Sequence, residues 1–418
     1  MTRDEFYREA DPDSRGPLAG YRVLEVTQAV AGPVVGTVFA DLGADVLRCE
    51  LPGQGDMTRW MEPFLDGDLD GGRNPNAACW HMSVNRGKRA VTLDIRTPDG
   101  QAIFRDLARE ADVLVENFTP GSMQALGLDY PAIRAINPAV VYVSVSGFGQ
   151  WGPLSAMRGV DTVAQAVSGM MSMNGVPGGD PLISTANLID HLTGWQGAMG
   201  AMAALLHRER TGEGQYIDVA LADTAIYASD QRIMAAHNAG RQWPRMGNSI
   251  DLGAPMNCYR CRDGGHVFLF AILDTLWPRV CAVMGREDLI DDPRCNGMRA
   301  RAQNREFVDQ ITADWVAAHD RDDVVRRLQA AGVSVGPVLD HTEVAQYEQF
   351  LEHESVIDMQ HPRYGTLRTY GVVPKFSRTP ARVRGPAPDM GQHNDTVYGD
   401  ELGLDAARLA DLRARNII

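Results

Sequence analysis

Two rhythms alternate along the first half of the chain. Short, almost continuous apolar runs give way to longer stretches with apolar residues three and four positions apart. That alternation predicts parallel strands joined by crossover helices. YRVLEV (21–26) reads as a buried strand, PVVGTVFADLGA (33–44) as a helix closed by Gly43, and DVLRCE (45–50) as the next strand, which together make one βαβ unit. RAVTLDI (89–95), PDGQAIFRDLAREA (98–111), DVLVEN (112–117), YPAIRAI (130–136) and AVVYVSVSG (139–147) carry the pattern through at least three more strands. The expected fold is α/β, a doubly wound parallel sheet.

The second half begins with a long helix. LIDHLTGWQGAMGAMAALLHRERTGEGQ (188–215) keeps small residues on one face and stops at Gly212. His207, Arg208 and Arg210 near its end complement the helix dipole. A stretch rich in Gly, Asn and Pro (239–257) reads as a linker. A smaller α/β region follows, with CRDGGHVFLFAI (261–272) as a hairpin and DRDDVVRRLQAAGV (320–333) as a helix. The tail contains the extended LRTYGVVPKFS (367–377) and a final helix, DAARLADLRAR (405–415).

Composition narrows the function. At 418 residues the chain exceeds what one core usually serves, so two domains are expected. A formal charge of -14 repels a polyphosphate backbone and argues against nucleic acid as a partner. The opening MTRDEFYREADPDSRG lacks the apolar stretch of a signal peptide, and runs such as GAMGAMAALL are too short to cross a bilayer. A cytoplasmic location without membrane attachment is the expectation. The six cysteines do not form a disulfide framework, and the C-x-x-C of Cys258 and Cys261 lacks the second ligand pair that zinc requires, so no metal is expected.

Three features carry candidate chemistry, each with a plainer alternative. The turn TQAVAGPVVG (27–36) sits where nucleotide-binding turns sit, yet its spacing is not G-x-G-x-x-G, Glu50 fits the expected acid only loosely, and tight packing explains its small residues equally well. NRGKRAVTLDIR (85–96) concentrates cations in an acidic protein and suits phosphates, although charge runs are more often solvated edges. Asp161 and Asp190 each stand at a helix start, where aspartate is a preferred N-cap. A desolvated carboxylate in that place is also a covalent nucleophile for an activated acyl carbon. No Ser-His-Asp order, nucleophile elbow, P-loop or H-E-x-x-H appears, which leaves carboxylate chemistry as the leading option.

Read together, the motifs resemble the class III coenzyme A transferases, a family that includes formyl-CoA transferase and the carnitine and bile-acid CoA transferases. The markers occur in order: AGPxxGxxxADLGADV (31–46), GDMTR (55–59), NRGKRAVTLD (85–94), ADVLVENFTPG (111–121), SGFGQWGP (146–153), AQAVSGMM (164–171), the Asp190 region and HRERTGEGQYIDVAL (207–221). One such motif is weak, but the ordered series is specific.

The resemblance implies that Asp190 attacks the thioester of an acyl-CoA, passes through a mixed anhydride and an aspartyl-CoA thioester, and hands CoA to a second carboxylic acid, with Asp161 assisting. It places CoA against Val30 and Ala31, against Leu93, Asp94, Ile95 and Arg96, and against Asn117 and Phe118. Leu51 and Ala125 stand where formyl-CoA transferase has arginines, so Arg96 or Arg89 is expected to take over phosphate contacts. The glycine loop of the formyl enzyme has only a poor counterpart in GNSIDLGAP (247–255), which implies a substrate unlike oxalate. Succinyl-CoA is the expected donor, CoA enters as substrate, and no permanently bound cofactor is implied.

The same relatives imply an interlocked homodimer, or a pair with a related, unlike subunit. The domain plan is then a discontinuous Rossmann-like domain (1–228 and 355–418), a linker (229–256), a small α/β domain (257–340) and a return linker (341–354). Racemase chemistry of the α-methylacyl-CoA type is disfavoured because Val160 stands where racemases carry a histidine. The missing dinucleotide fingerprint disfavours a dehydrogenase. A non-catalytic acyl-CoA-binding subunit remains as the other alternative.

Overall fold

A computed structural model describes residues 1–65 and 74–418. The chain divides into two compact units, one built from Met1–Met171, Ile183–Gln242 and Glu348–Ile418, the other from Ser172–Leu182 and Trp243–Tyr347.

In the first unit, β1 (Arg22–Val26), β2 (Asp45–Glu50), β3 (Arg89–Thr92), β4 (Val113–Glu116), β5 (Val141–Ser146) and β6 (Tyr216–Ala220) form a parallel sheet in the order β3-β2-β1-β4-β5-β6. This is the doubly wound Rossmann order, with its reversal between β1 and β4. Successive side chains enter opposite cores. Val23, Val113, Val115, Val141 and Val143 join the cluster on one face, whereas Leu24, Leu114 and Tyr142 join the other. Both faces are covered, which explains why these strands read as continuous apolar runs.

Helix α1 (Ala31–Asp41) is buried throughout and packs against the longest helix, α4 (Leu188–Thr211). Between them in sequence lie α2 (Pro98–Arg109) and α3 (Asp161–Val167). The small face of α4 is a steric requirement. A methyl group at Gly194 would lie 2.6 Å from Val34 Cβ and 2.9 Å from Ala31 O, and one at Gly197 would lie 2.9 Å from Val35 Cγ2. Helix α4 ends as its sequence predicts, with Gly212 at φ 78° donating its amide to Arg208 O. Helix α1 starts two residues before the expected Pro33. Proline is tolerated there because its missing N–H falls within the first, unbonded turn.

The C-terminal segment shields the edge strand β3. His393 accepts from Ala90 N through Nδ1 and Asn394 accepts from Thr92 N, while Tyr398 donates to Thr92 O. The extended tail folds as a hairpin of β10 (Val356–His361) and β11 (Gly365–Tyr370), and the chain closes with the helix Ala406–Ala414.

In the second unit, β7 (Met256–Arg260), β8 (His266–Phe270) and β9 (Ser334–Pro337) make an antiparallel sheet over a core that includes Trp277, Val308, Val316, Val324 and Leu328. Arg301 is buried there, and carbonyls of Ala254, Ile272 and Cys295 accept its protons. Cys261 packs in this core and Cys258 lies half-buried on β7, both as free thiols. Among the described residues no helix is long and apolar enough to cross a membrane, and no group of His, Cys, Asp and Glu could hold a metal ion.

Candidate active site

The C-terminal ends of β1 to β4 surround a cavity of about 310 Å³, lined in part by Gln28, Cys49, Leu51, Leu93, Ile95 and Phe118. Open α/β sheets bind ligands at this position, outside the carboxyl ends of the strands at the topological switch point. Of the residues anticipated from sequence, Leu93, Asp94, Ile95, Arg96 and Phe118 line the cavity. Arg96 is exposed and tethered to Asp94 by bonds of 2.7 and 2.8 Å. Asn117 acts as a clamp instead. Its Oδ1 accepts from Gln28 N at 2.8 Å and its Nδ2 donates to Gln28 O at 2.7 Å, tying β4 to the turn after β1. Arg89 lies at the other end of its strand, paired with Asp45 and Glu401.

The turn leads into a helix start that has no side-chain cap. Ala29 has φ 62°, Val30 is the N-cap of α1, and no side chain caps that helix. Amides at an uncapped helix start are suited to an anionic or oxyanionic group. Gly32 lets Asn117 and Thr27 pack against this helix start, since a methyl group there would lie 2.8 Å from Asn117 Cγ and 2.9 Å from Thr27 Cβ.

A buried ionic network fixes this turn from below. Arg48, fully buried, bonds Glu25 at 2.8 Å, Asp56 at 2.6 Å and Thr27 O at 3.1 Å. Lys88 bonds both Glu25 oxygens, at 2.9 and 3.0 Å, and Pro33 O at 2.7 Å. Asp56 in turn accepts from Ala29 N at 3.0 Å, and Arg59 pairs with Glu50 at 2.6 Å. Burial pulls the Lys88 ammonium down to about 8, although Glu25 opposes it. The cation cluster expected either to hold phosphate or to be solvated is therefore divided: Arg86 and Lys88 are internal and paired with Asp41 and Glu25, whereas Arg89 is half-buried and Arg96 exposed. Asp56 and Gln28 are site residues that sequence reasoning did not single out. The GDMTR and TQAVAGPVVG motifs containing them were its available signals.

The two aspartates have separate roles as helix-start residues. Neither is an N-cap: Val160 and Asn187 hold those positions, Asp161 is the first residue of α3, and Asp190 is the third of α4. Asp161 nevertheless caps, but it caps the other helix. Its Oδ2 accepts from Ile189 N at 2.6 Å and Asp190 N at 3.1 Å. That arrangement frees the Asp190 carboxylate, for which no hydrogen bond is found among the described residues. Burial, and then the charge of Asp161, push Asp190 up to about 7. Asp190 lies one turn before Gly194, on the face of α4 that meets Ala31 and Val34. The nearby His191 is lowered, chiefly by burial.

The first unit thus combines an α/β sheet with a cavity at its switch point, an uncapped helix start and, outside the residues that line the cavity, a carboxylate at Asp190 without a hydrogen-bond partner among the described residues. Residues 18–394 match CoA-transferase family III. The chain is 32% identical over 403 residues to the succinyl-CoA–D-citramalate CoA-transferase of Chloroflexus aurantiacus, covering 96% of this chain and 98% of that protein. It is 33% identical over 416 residues to the formyl-CoA:oxalate CoA-transferase of Streptomyces coelicolor, covering 96% and 99%. The crystal structure of a CaiB/BaiF family protein from Brucella suis superposes with a TM-score of 0.82 at 32% identity, covering 92% of this chain and 99% of that one. This chain belongs to CoA-transferase family III and is an enzyme that uses CoA thioesters as substrates.

Proposed function

We propose that the enzyme transfers CoA from a donor acyl-CoA to an acceptor carboxylic acid with Asp190 as covalent nucleophile. The Asp190 carboxylate adds to the thioester carbonyl, the C–S bond breaks, and CoA thiolate leaves a mixed anhydride behind. The thiolate attacks the aspartyl carbonyl and expels the donor carboxylate, giving an aspartyl-CoA thioester. The acceptor carboxylate then attacks that thioester and releases the thiolate. Finally the thiolate takes the acceptor acyl group, and Asp190 returns to a free carboxylate. Each step exchanges one carboxylate or thiolate for another, so no external oxidant or water is consumed.

The observation that carries this reading is the division of labour between the aspartates. Asp161 satisfies the amides of helix α4, and Asp190 is left desolvated without a hydrogen-bond partner. Desolvation raises the energy of an ionised carboxylate and so favours its attack on an acyl carbon. In this reading the uncapped amides at Val30 and Ala31 stabilise the oxyanion formed by each attack, and the cavity at the strand ends receives the nucleotide part of CoA.

Succinyl-CoA is the proposed donor, by extension from the relative in Chloroflexus aurantiacus whose name specifies it. A homodimer is proposed as well. One face of α4 exposes Leu192, Trp195, Met199 and Leu206, an apolar stripe that a second subunit would cover. The interlocked arrangement and the cytoplasmic setting belong to the same proposal.

Incubation with succinyl-CoA followed by peptide mass spectrometry tests the nucleophile. An acyl or CoA adduct on the peptide containing Asp190, absent from Asp190→Ala, is the expected result. Full turnover by Asp190→Ala would rule the assignment out. A racemase reading predicts exchange of the α-proton without an adduct, and Val160 beside Asp161 offers no second acid or base for it.

A further inference from the structure

Gln165, one turn after Asp161 on α3, is wholly buried, and its amide is fully engaged. Nε2 donates to Asp161 Oδ1 at 2.6 Å and to Thr185 O at 3.0 Å, while Oε1 accepts from Ser184 N at 2.9 Å. Thr185 and Ser184 belong to the segment that leads into α4, where Asn187 turns the chain through a left-handed conformation at φ 63°. One amide therefore joins three things: the carboxylate that caps α4, the backbone that enters α4, and helix α3 itself.

Only a side-chain amide supplies two donors and an acceptor in this arrangement; a carboxylate lacks the donors and a hydrocarbon lacks both. Both oxygens of the Asp161 carboxylate are engaged in consequence. Gln165 occupies Oδ1, and the amides of Ile189 and Asp190 share Oδ2. Without Gln165, Asp161 could rotate away from α4 and uncover its first amides.

We propose that Gln165 is a positioning residue for the nucleophile: it locks Asp161 onto the start of α4 and anchors residues 184–185, so that Asp190 is held in its attacking position. The inference rests on Asp190 being the nucleophile. The ionisable groups that face Asp161 are Asp190 on α4 and the adjoining His191, and Arg86 faces His191 in turn.

The test compares the pH dependence of kcat for the wild type, Gln165→Glu and Gln165→Met, with acyl-CoA affinity measured alongside. A glutamate here is a donor only when protonated, and two carboxyl groups this close share a proton on the acid side. Gln165→Glu is therefore expected to turn the wild-type rise to a plateau into a bell, with a new fall on the alkaline side. Gln165→Met is expected to lose roughly tenfold or more in kcat at every pH, with acyl-CoA affinity within about twofold of wild type. A purely structural role would scale the rate without adding a new ionisation. The inference is overturned if the Gln165→Glu profile runs parallel to the wild type, or if Gln165→Met keeps kcat within about twofold. Mass spectrometry on the wild type separates the two claims. An adduct on Asp190 together with a parallel Gln165→Glu profile overturns the positioning role alone, and an active wild type that never marks Asp190 removes the nucleophile and the positioning role together.

Discussion

Asp161 accepts the backbone amide of Asp190 at 3.1 Å, so one aspartate caps the helix that carries the other. The contact has an electrostatic consequence. Asp161 brings negative charge to the start of α4, and Asp190, already desolvated, is pushed further toward its neutral form.

Replacing Asp161 by Asn keeps an oxygen to cap α4 but removes the charge. The acidic limb of the rate profile, expected near pH 7 from Asp190, should move to lower pH. It should stay above the usual carboxylate range, because burial is the larger cause of the shift. A limb that does not move would show that the Asp161 charge is not felt at Asp190.

The same shift makes a stability prediction. The folded pKa of Asp190, about 7, exceeds that of an unfolded aspartate, so its ionisation destabilises the fold increasingly as pH rises between the two values. Asp190→Asn should therefore stabilise the protein at pH 8 by on the order of 2–4 kcal/mol, and the gain should vanish near pH 4. Thermal melts at the two pH values check this. Equal melting of the two proteins at pH 8 would contradict the raised pKa.

Arg48 is a further point of vulnerability. Truncation to Met leaves Asp56 buried without its arginine and Glu25 with Lys88 as its remaining cation. A loss of about 3–5 kcal/mol is expected, together with disorder of the turn at Ala29 that Asp56 holds. Denaturant unfolding gives the first quantity and acyl-CoA affinity reports the second. Wild-type stability would show that the network relaxes around the change.

Glycines on α4 should respond according to what faces them. Gly194→Ala drives a methyl group against Val34 and Ala31 and should destabilise by roughly 1–3 kcal/mol. Gly200→Ala meets Ile217 at an ordinary 3.4 Å and should gain up to about 1 kcal/mol from helix propensity. Reversal of that order in unfolding measurements would contradict the tight α1–α4 contact.

Much of the sheet was legible because both of its faces are buried. Continuous apolar runs such as AVVYVSVSG can be satisfied only by a covered strand, and Gly43 and Gly212 punctuate the helices they close. The small face of α4 was equally readable, since Gly194 and Gly197 recur at helical spacing. Ser172–Leu182 was not legible as part of the second unit, because Gly247 N reaches Gly175 O across a sequence separation that periodicity does not encode.

Both aspartates stand out in the sequence, but the connection between them does not. Helix-start preference points to capping of the residue's own helix, whereas Asp161 caps a helix 28 residues onward through Ile189. Lys88 was misread for a related reason. A cation run looks solvated until the partner of Lys88, Glu25 on β1, two strands across the sheet from β3, is placed beneath the turn. Tertiary pairing of this kind leaves no local signature.

Borohydride trapping during turnover measures the covalent step most directly. Reduction of an aspartyl-CoA thioester leaves homoserine, so enzyme quenched with borohydride in the presence of succinyl-CoA should carry homoserine at position 190 and release free CoA. An enzyme that turns over at full rate up to the quench and then carries Asp190 unmodified, or homoserine at another aspartate, would contradict the assignment.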